Sequence, residues 1–249
     1  MQLQWVGHAT ALVDVAGRRI LTDPLLTRRV AHLRRRRPLP SPHVAEVDTV
    51  LLSHAHLDHL HLPSLRKMHP NTQFVTPVGT GRLLRRAGFD DVTEVSVGDR
   101  VELGGSLVTV EVVPAAHKHG RGPHSRVTAP PVGYVISGEN RRVYFPGDTD
   151  LFDEMEQLTD IDVAMLPIWG WGSSLGTGHL DPTRAATATG LIHPGIVVPI
   201  HWGTYAPEDG RRLPSWFEDP PEQFERALAD AGLSQFLHLL HPGESVSIA

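Results

Sequence analysis

The sequence predicts an α/β protein in which two β-sheets pack face to face with helices outside. Short apolar strands come first as a meander and then alternate with helical stretches, an order that repeats loosely in the second half of the chain. No linker divides the 249 residues, so a single domain over residues 1–249 is expected. His54 to His59, His117, Asp148 and His201 each stand immediately after a predicted strand. Strand ends along one edge of a sandwich can converge although they are distant in sequence.

Leu3–Val6, Thr10–Val15 and Ile20–Thr22 read as strands, the last stopped by Asp23-Pro24 because proline cannot donate to a ladder. The arginine- and proline-rich stretch from Arg28 to Pro42 has no sustained apolar period and reads as an excursion loop. Val47–Leu52 is a buried strand. A short helix is expected over Pro63–Met68, a strand over Gln73–Thr76 and a helix over Gly79–Ala87, closed by Gly88. Val92–Val95, Arg100–Leu103 and Leu107–Val113 continue the β pattern, and Gly133–Ser137 pairs with Arg142–Phe145 as a hairpin. Val163–Leu166 and Ile196–Ile200 are buried strands. Between them Asp181-Pro182 caps a helix reaching about Ile192. Pro220–Ala231 reads as an amphipathic helix, with strands Phe236–Leu239 and Ser245–Ile248 closing the chain.

Composition narrows the function. With 40% apolar and 20% charged residues, a net charge of −5 and a pI near 6.3, the chain is a globular protein and not a nucleic-acid binder by bulk electrostatics. The absence of cysteine excludes disulfides, thiolate metal sites and cysteine nucleophiles. Neither a signal peptide nor a membrane-spanning run is evident, so a cytoplasmic location without stable membrane association is expected.

The densest chemistry lies in Ser53-His54-Ala55-His56-Leu57-Asp58-His59, at the mouth of a buried strand. His54 and His56 are two apart, so in extended backbone both side chains leave on one face and can grip one ion, while Asp58 and His59 turn toward a second. Nitrogen and carboxylate donors without thiolate suit zinc, and also iron or manganese. Isolated histidines deserve little weight in a chain with 16 of them, but this spacing after an apolar strand is specific.

Together with His117, Asp148 in a Gly-Asp-Thr turn and His201, this loop resembles the five-part metal pattern of the metallo-β-lactamase fold superfamily. The flanking Trp5-Val6-Gly7-His8-Ala9-Thr10, Leu21-Thr22-Asp23-Pro24 and His201-Trp202-Gly203-Thr204 are similar to its branch of L-ascorbate-6-phosphate lactonase-like and N-acylphosphatidylethanolamine phospholipase D-like proteins. The resemblance implies an αβ/βα four-layer sandwich, two mixed sheets with helices on the outer faces, and a dinuclear site holding two divalent ions, zinc foremost. It places His54, His56 and His117 on one ion, Asp58, His59 and His201 on the other, and Asp148 between them. The activity implied is hydrolysis of an ester, lactone or phosphodiester bond by a hydroxide shared between the ions. A metal-dependent nuclease and a non-hydrolytic di-iron redox or metal-binding protein are the alternatives; the acidic balance disfavours the first and the lack of a flavin-binding segment the second. Aspartate at position 148, where the best-known zinc β-lactamases carry cysteine, removes any implication of antibiotic hydrolysis.

Around this set, Asp23 is expected to hold a ligand imidazole, and His8 to play a similar part. His179, in a His-x-Asp-Pro setting, is a candidate to bind a substrate oxygen or protonate the leaving group, and Asp58 to orient the nucleophile. Trp169, Trp171, Trp202 and Tyr205 are candidate pocket walls. His119 and His124 carry no assigned role. A small-molecule substrate is expected, and an anionic one is favoured if Arg121, Arg126 and the Arg34–Arg37 run converge on the metal edge.

Overall fold

The structure, a computed structural model, describes residues 1–105, 107–122, 125–170, 172–207 and 213–248. His124 and Trp171 lie outside the described residues. Two mixed sheets form the body. The first orders its seven strands as Ser245–Ser247, Gln2–Gly7, Thr10–Val15, Arg18–Thr22, Thr49–Leu51, Gln73–Pro77 and Val92–Val95. The second orders six as Ile196–Ile200, Val163–Pro167, Arg141–Phe145, Val132–Gly138, Thr109–Pro114 and Arg100–Glu102.

Alternation along the strands of the first sheet sorts their side chains to two sides. Ala11, Val13, Ile20, Leu51 and Val75 join the core shared with Val110, Tyr134, Ile136 and Phe145 of the second sheet. Their neighbours Leu12, Leu21, Val50 and Phe74 point the other way, to a separate cluster with Leu65 and Leu84 from the two short helices Leu62–Leu65 and Gly81–Arg86. This is the period of two that a strand buried on both faces demands. Helix Pro182–Ile192, capped where Arg184 N–H donates to Asp181 Oδ1 at 2.8 Å, packs with helix Pro220–Asp230 through Ala185, Ala188, Phe224 and Leu228.

Strand direction explains the convergence of the histidines. Thr49–Leu51 runs parallel to Arg18–Thr22, which two antiparallel steps relate to Gln2–Gly7. Arg141–Phe145, Val163–Pro167 and Ile196–Ile200 are mutually parallel, and two antiparallel steps bring Thr109–Pro114 into the same direction. Within each sheet, therefore, the residues that follow these strands emerge at one edge: His8, Asp23 and the histidine loop from the first, His117, Asp148 and His201 from the second. The tight turns Ala16-Gly17 and Glu139-Asn140 fall at the other end of their strands.

Two expected elements differ. The excursion loop contains the hairpin Arg29–Val30 and Leu33–Arg35, which pairs with Tyr205–Pro207 in a small third sheet. Val30 and Leu33 bury against Leu25 and Tyr205, too few apolar positions to register as a period. Phe236–Leu239 is not a strand. Ser234–Phe236 forms a 3₁₀ turn, and Leu237 makes a single bridge to Val197, so the segment contributes Phe236 and Leu240 to the core without a ladder. No helix among the described residues is long and apolar enough to cross a membrane.

Candidate metal centre

The structure brings all seven residues of the predicted metal pattern together in two adjoining groups. His54, His56, His117 and Asp148 offer ligand atoms within 4.8 Å of one another, and so do His8, Asp58, His59 and His201. Asp148 stands between them, with Oδ1 3.1 Å from His201 Nε2 and Oδ2 3.3 Å from His59 Nε2 and 3.9 Å from His117 Nε2. Gly147, at φ +65°, lets this turn reach the histidine loop, since a Cβ there would collide with the Ser53 side chain.

The outer ring nitrogens are tied down. His117 Nδ1–H donates to Gly178 O at 2.6 Å and His201 Nδ1–H to Trp169 O at 2.8 Å. Asp23, wholly buried, accepts from His59 Nδ1–H at 2.7 Å and from the Ser53 hydroxyl, whose oxygen in turn accepts from His54 Nδ1–H at 2.9 Å. One carboxylate thus fixes two imidazoles, one directly and one through Ser53. With a proton fixed on Nδ1, the neutral form of each ring turns the Nε2 lone pair inward, the arrangement that metal-ligating histidines adopt.

The inward nitrogens crowd. His56 Nδ1 faces His54 Nε2 at 3.0 Å and His117 Nε2 at 3.1 Å, while His201 Nε2 faces His59 Nε2 at 3.2 Å. A single Nδ1–H on His56 cannot serve both neighbours, so at least one pair of lone pairs is opposed. Asp148 Oδ1 is buried without a hydrogen-bond partner. Opposed lone pairs and an orphaned carboxylate oxygen are costly in isolation and are relieved by a cation, so this donor set fits divalent metal ions.

Proton affinities agree. Burial, with the neighbouring His59, holds His54 well below the usual histidine value; burial likewise lowers His56 to about 4, His201 to about 3, and His117 in the same direction. These four are neutral donors at pH 7. His59 goes the other way: burial opposes its charge, but the carboxylates of Asp148, Asp58 and Asp23 raise it well above the usual value. Against the penalty of burial, His59 and His8 hold Asp58 far below the carboxylate range, and His201 and His59 do the same for Asp148.

His179 sits at the rim, Nε2 3.7 Å from Asp148 Oδ2 and its ring edge-on to His117 at 4.6 Å, with Nδ1 buried and unpartnered. Asp150 helps set this loop, accepting from Gly178 N–H at 3.2 Å and pairing with Arg184. Trp169 is partly buried beside the site, Trp202 is core against Trp5, and Tyr205 is buried with its hydroxyl on Leu25 O and Thr27 O. His119 is exposed and outside both groups.

Arg121 and Arg35 to Arg37 are engaged by backbone carbonyls. Arg121 Nη1 donates to Ala55 O at 2.8 Å and Leu60 O at 3.0 Å, so its guanidinium clamps the histidine loop. Arg35 is buried on Val6 O, Leu25 O and Pro38 O, Arg36 reaches Pro207 O, and Arg37 holds Gly203 O and Glu218. Arg126 is exposed. A run of like charges reads as a solvated face or an anion funnel, and sequence gave no sign that backbone carbonyls would take these cations. Ser53 and the carbonyls of Gly178 and Trp169 were also invisible as imidazole anchors, because their role depends on tertiary approach.

Comparison with known proteins gives the family. The family model for the beta-lactamase superfamily domain matches residues 18–202. A protein of Methanopyrus kandleri named as a metal-dependent hydrolase is 33% identical over 98% of this chain and 99% of its own. The N-acyl-phosphatidylethanolamine-hydrolyzing phospholipase D 1 of Caenorhabditis elegans is 31% identical over 81% of this chain and 63% of its own. Among solved structures, the metallo hydrolase Igni18 of Ignicoccus hospitalis superposes with a TM-score of 0.75 at 26% identity, covering 98% of this chain and 97% of the other. The chain belongs to the metallo-β-lactamase superfamily and is a metal-dependent hydrolase of the branch that includes the N-acylphosphatidylethanolamine phospholipase D relatives.

Proposed function

We propose that the chain hydrolyses an ester, lactone or phosphodiester bond of a small molecule at a two-ion centre. His54, His56 and His117 would hold one ion, Asp58, His59 and His201 the other, with Asp148 available to both. The observation that supports this reading is that the donor atoms of His54, His56 and His117 and those of Asp58, His59 and His201 adjoin at Asp148, whose Oδ1 is otherwise orphaned. Zinc suits nitrogen and carboxylate donors without thiolate, and manganese and iron are compatible. When bound, divalent ions would supply Lewis acidity there, lowering the pKa of a water and polarising a substrate oxygen.

The side chains supply the rest. Asp58 is ionised and orients the attacking water. His179, 22% exposed at the rim, holds a substrate oxygen or protonates the leaving group. The Nδ1 anchors on Asp23, Gly178 and Trp169 keep the donors from turning away.

Metal-loaded protein assayed against lactones, carboxylic esters and phosphodiesters, before and after chelation, tests the reading. Turnover of at least one class that chelator abolishes and metal restores is expected. His179→Gln should lower kcat with metal content kept. Full metal loading with no turnover of any of the three classes would overturn it.

A further inference from the structure

His8 lies outside the pattern that runs from His54 to His201, yet its Nε2 is 3.0 Å from Asp58 Oδ2 and its ring tilts over His201 with centroids 3.9 Å apart. The main chain brings it there. His8 ends the strand Gln2–Gly7 at φ +55°, a left-handed conformation that strains a residue with a side chain. Its N–H donates to Thr204 Oγ1 at 2.8 Å, and its carbonyl accepts from Trp5 Nε1 at 2.9 Å and from His201 N–H at 3.0 Å. His201 is itself left-handed at φ +65°. Two strained histidines, one from each sheet, are therefore joined backbone to backbone at one pocket.

Resting on the two-ion reading, we propose that His8 is the positioning residue of the Asp58–His59–His201 pocket. Its Nε2–H donates to one oxygen of Asp58 and leaves the other to the pocket, while its carbonyl sets the turn that presents His201. A histidine that donates through Nε2 carries its lone pair on Nδ1, away from the carboxylate, so it orients a ligand and does not act as one. The same residue thus couples the first sheet to the second at the site where the two donor groups meet.

Calorimetric titration of the metal-free protein with zinc tests this in wild type, His8→Ala and His8→Gln, with thermal melts of each metal-free protein alongside. Wild type should take two equivalents. His8→Ala should weaken one of them about 10- to 100-fold and spare the other, the scale seen when a ligand's supporting partner is removed. His8→Gln, whose amide places a donor near the position of Nε2, should recover most of that loss. Unchanged affinities in His8→Ala, or both equivalents weakened alike in both variants, would overturn the assignment. Failure of His8→Gln to recover the weakened equivalent would overturn hydrogen-bond donation in favour of direct ligation. A wild-type protein taking one equivalent would instead refute the two-ion reading, and with it the pocket that His8 serves.

Discussion

At the hairpin edge of the sandwich, positive φ falls on Ala16, Gly17, Glu139 and Asn140, exposed residues of two-residue turns. At the opposite edge it falls, besides Gly7, Gly147 and Gly203, on His8, Asp23 and His201, all three buried and with side chains in the polar cluster. The first edge needs left-handed backbone only to reverse the chain, and small or amide residues supply part of it cheaply. The second places that strain on residues of the proposed metal site, where hydrogen bonds hold them. Strain over-determined by its surroundings clusters at functional sites. Substitutions at the two edges should accordingly differ in kind as well as in size.

The largest effect is expected at Asp148. Asp148→Asn leaves an amide where a carboxylate faces both donor groups, and should lower bound metal and cut kcat by about two to three orders of magnitude, the scale of losing one charge-stabilising group. Metal analysis and steady-state kinetics check it, and full loading with wild-type turnover would remove Asp148 from its place between the pockets. Chelation comes next. Ions that bind only the folded state at about a thousand times their Kd stabilise by about 4 kcal/mol each. At about 2–4 °C per kcal/mol for a chain of this size, loss of both ions should lower the melting temperature by roughly 15–30 °C, and zinc should restore it.

Arg121→Ala should have an intermediate effect. It strips two carbonyls of the histidine loop of a cationic donor, which costs about 1–3 kcal/mol, and should weaken metal binding. Because the guanidinium is engaged with Ala55 and Leu60, KM should change equally for an anionic substrate and its neutral analogue. A selective rise for the anion would restore the arginine to the substrate mouth.

The smallest effect belongs to the hairpin edge. The Met1 amine and the Ala16 N–H hold the Glu139 carboxyl below the usual carboxylate range. A depressed carboxylate contributes stability above its unfolded value near 4.3 and loses it as pH falls through the lowered folded value. Glu139→Gln should therefore melt slightly below wild type at pH 7, with the gap closing as pH falls through the lowered folded value and metal content unchanged at pH 7. A gap that widens in acid would contradict the sign.

Much of the fold was legible because its signals are local. The strand Thr10–Val15, the Asp181-Pro182 cap and the hairpin at Glu139-Asn140 all appear where sequence places them. The convergence of the histidines with Asp148 was legible because each follows a strand, and the parallel register of Arg141–Phe145, Val163–Pro167 and Ile196–Ile200 turns that into proximity. What sequence did not disclose depends on approach across the fold. Arg35 to Arg37 look like surface charge until the Val6, Leu25, Gly203 and Pro207 carbonyls are seen around them. His8 looked like a partner for an imidazole, but it meets the Asp58 carboxylate.

The central claim is that two ions sit side by side where the strand ends of both sheets meet. Anomalous diffraction from crystals of the metal-loaded protein, collected above and below the metal's absorption edge, tests it most directly. Two peaks are predicted, one among His54, His56 and His117, the other among Asp58, His59 and His201, with Asp148 between. A single peak at saturating metal, or peaks away from these residues, would contradict it.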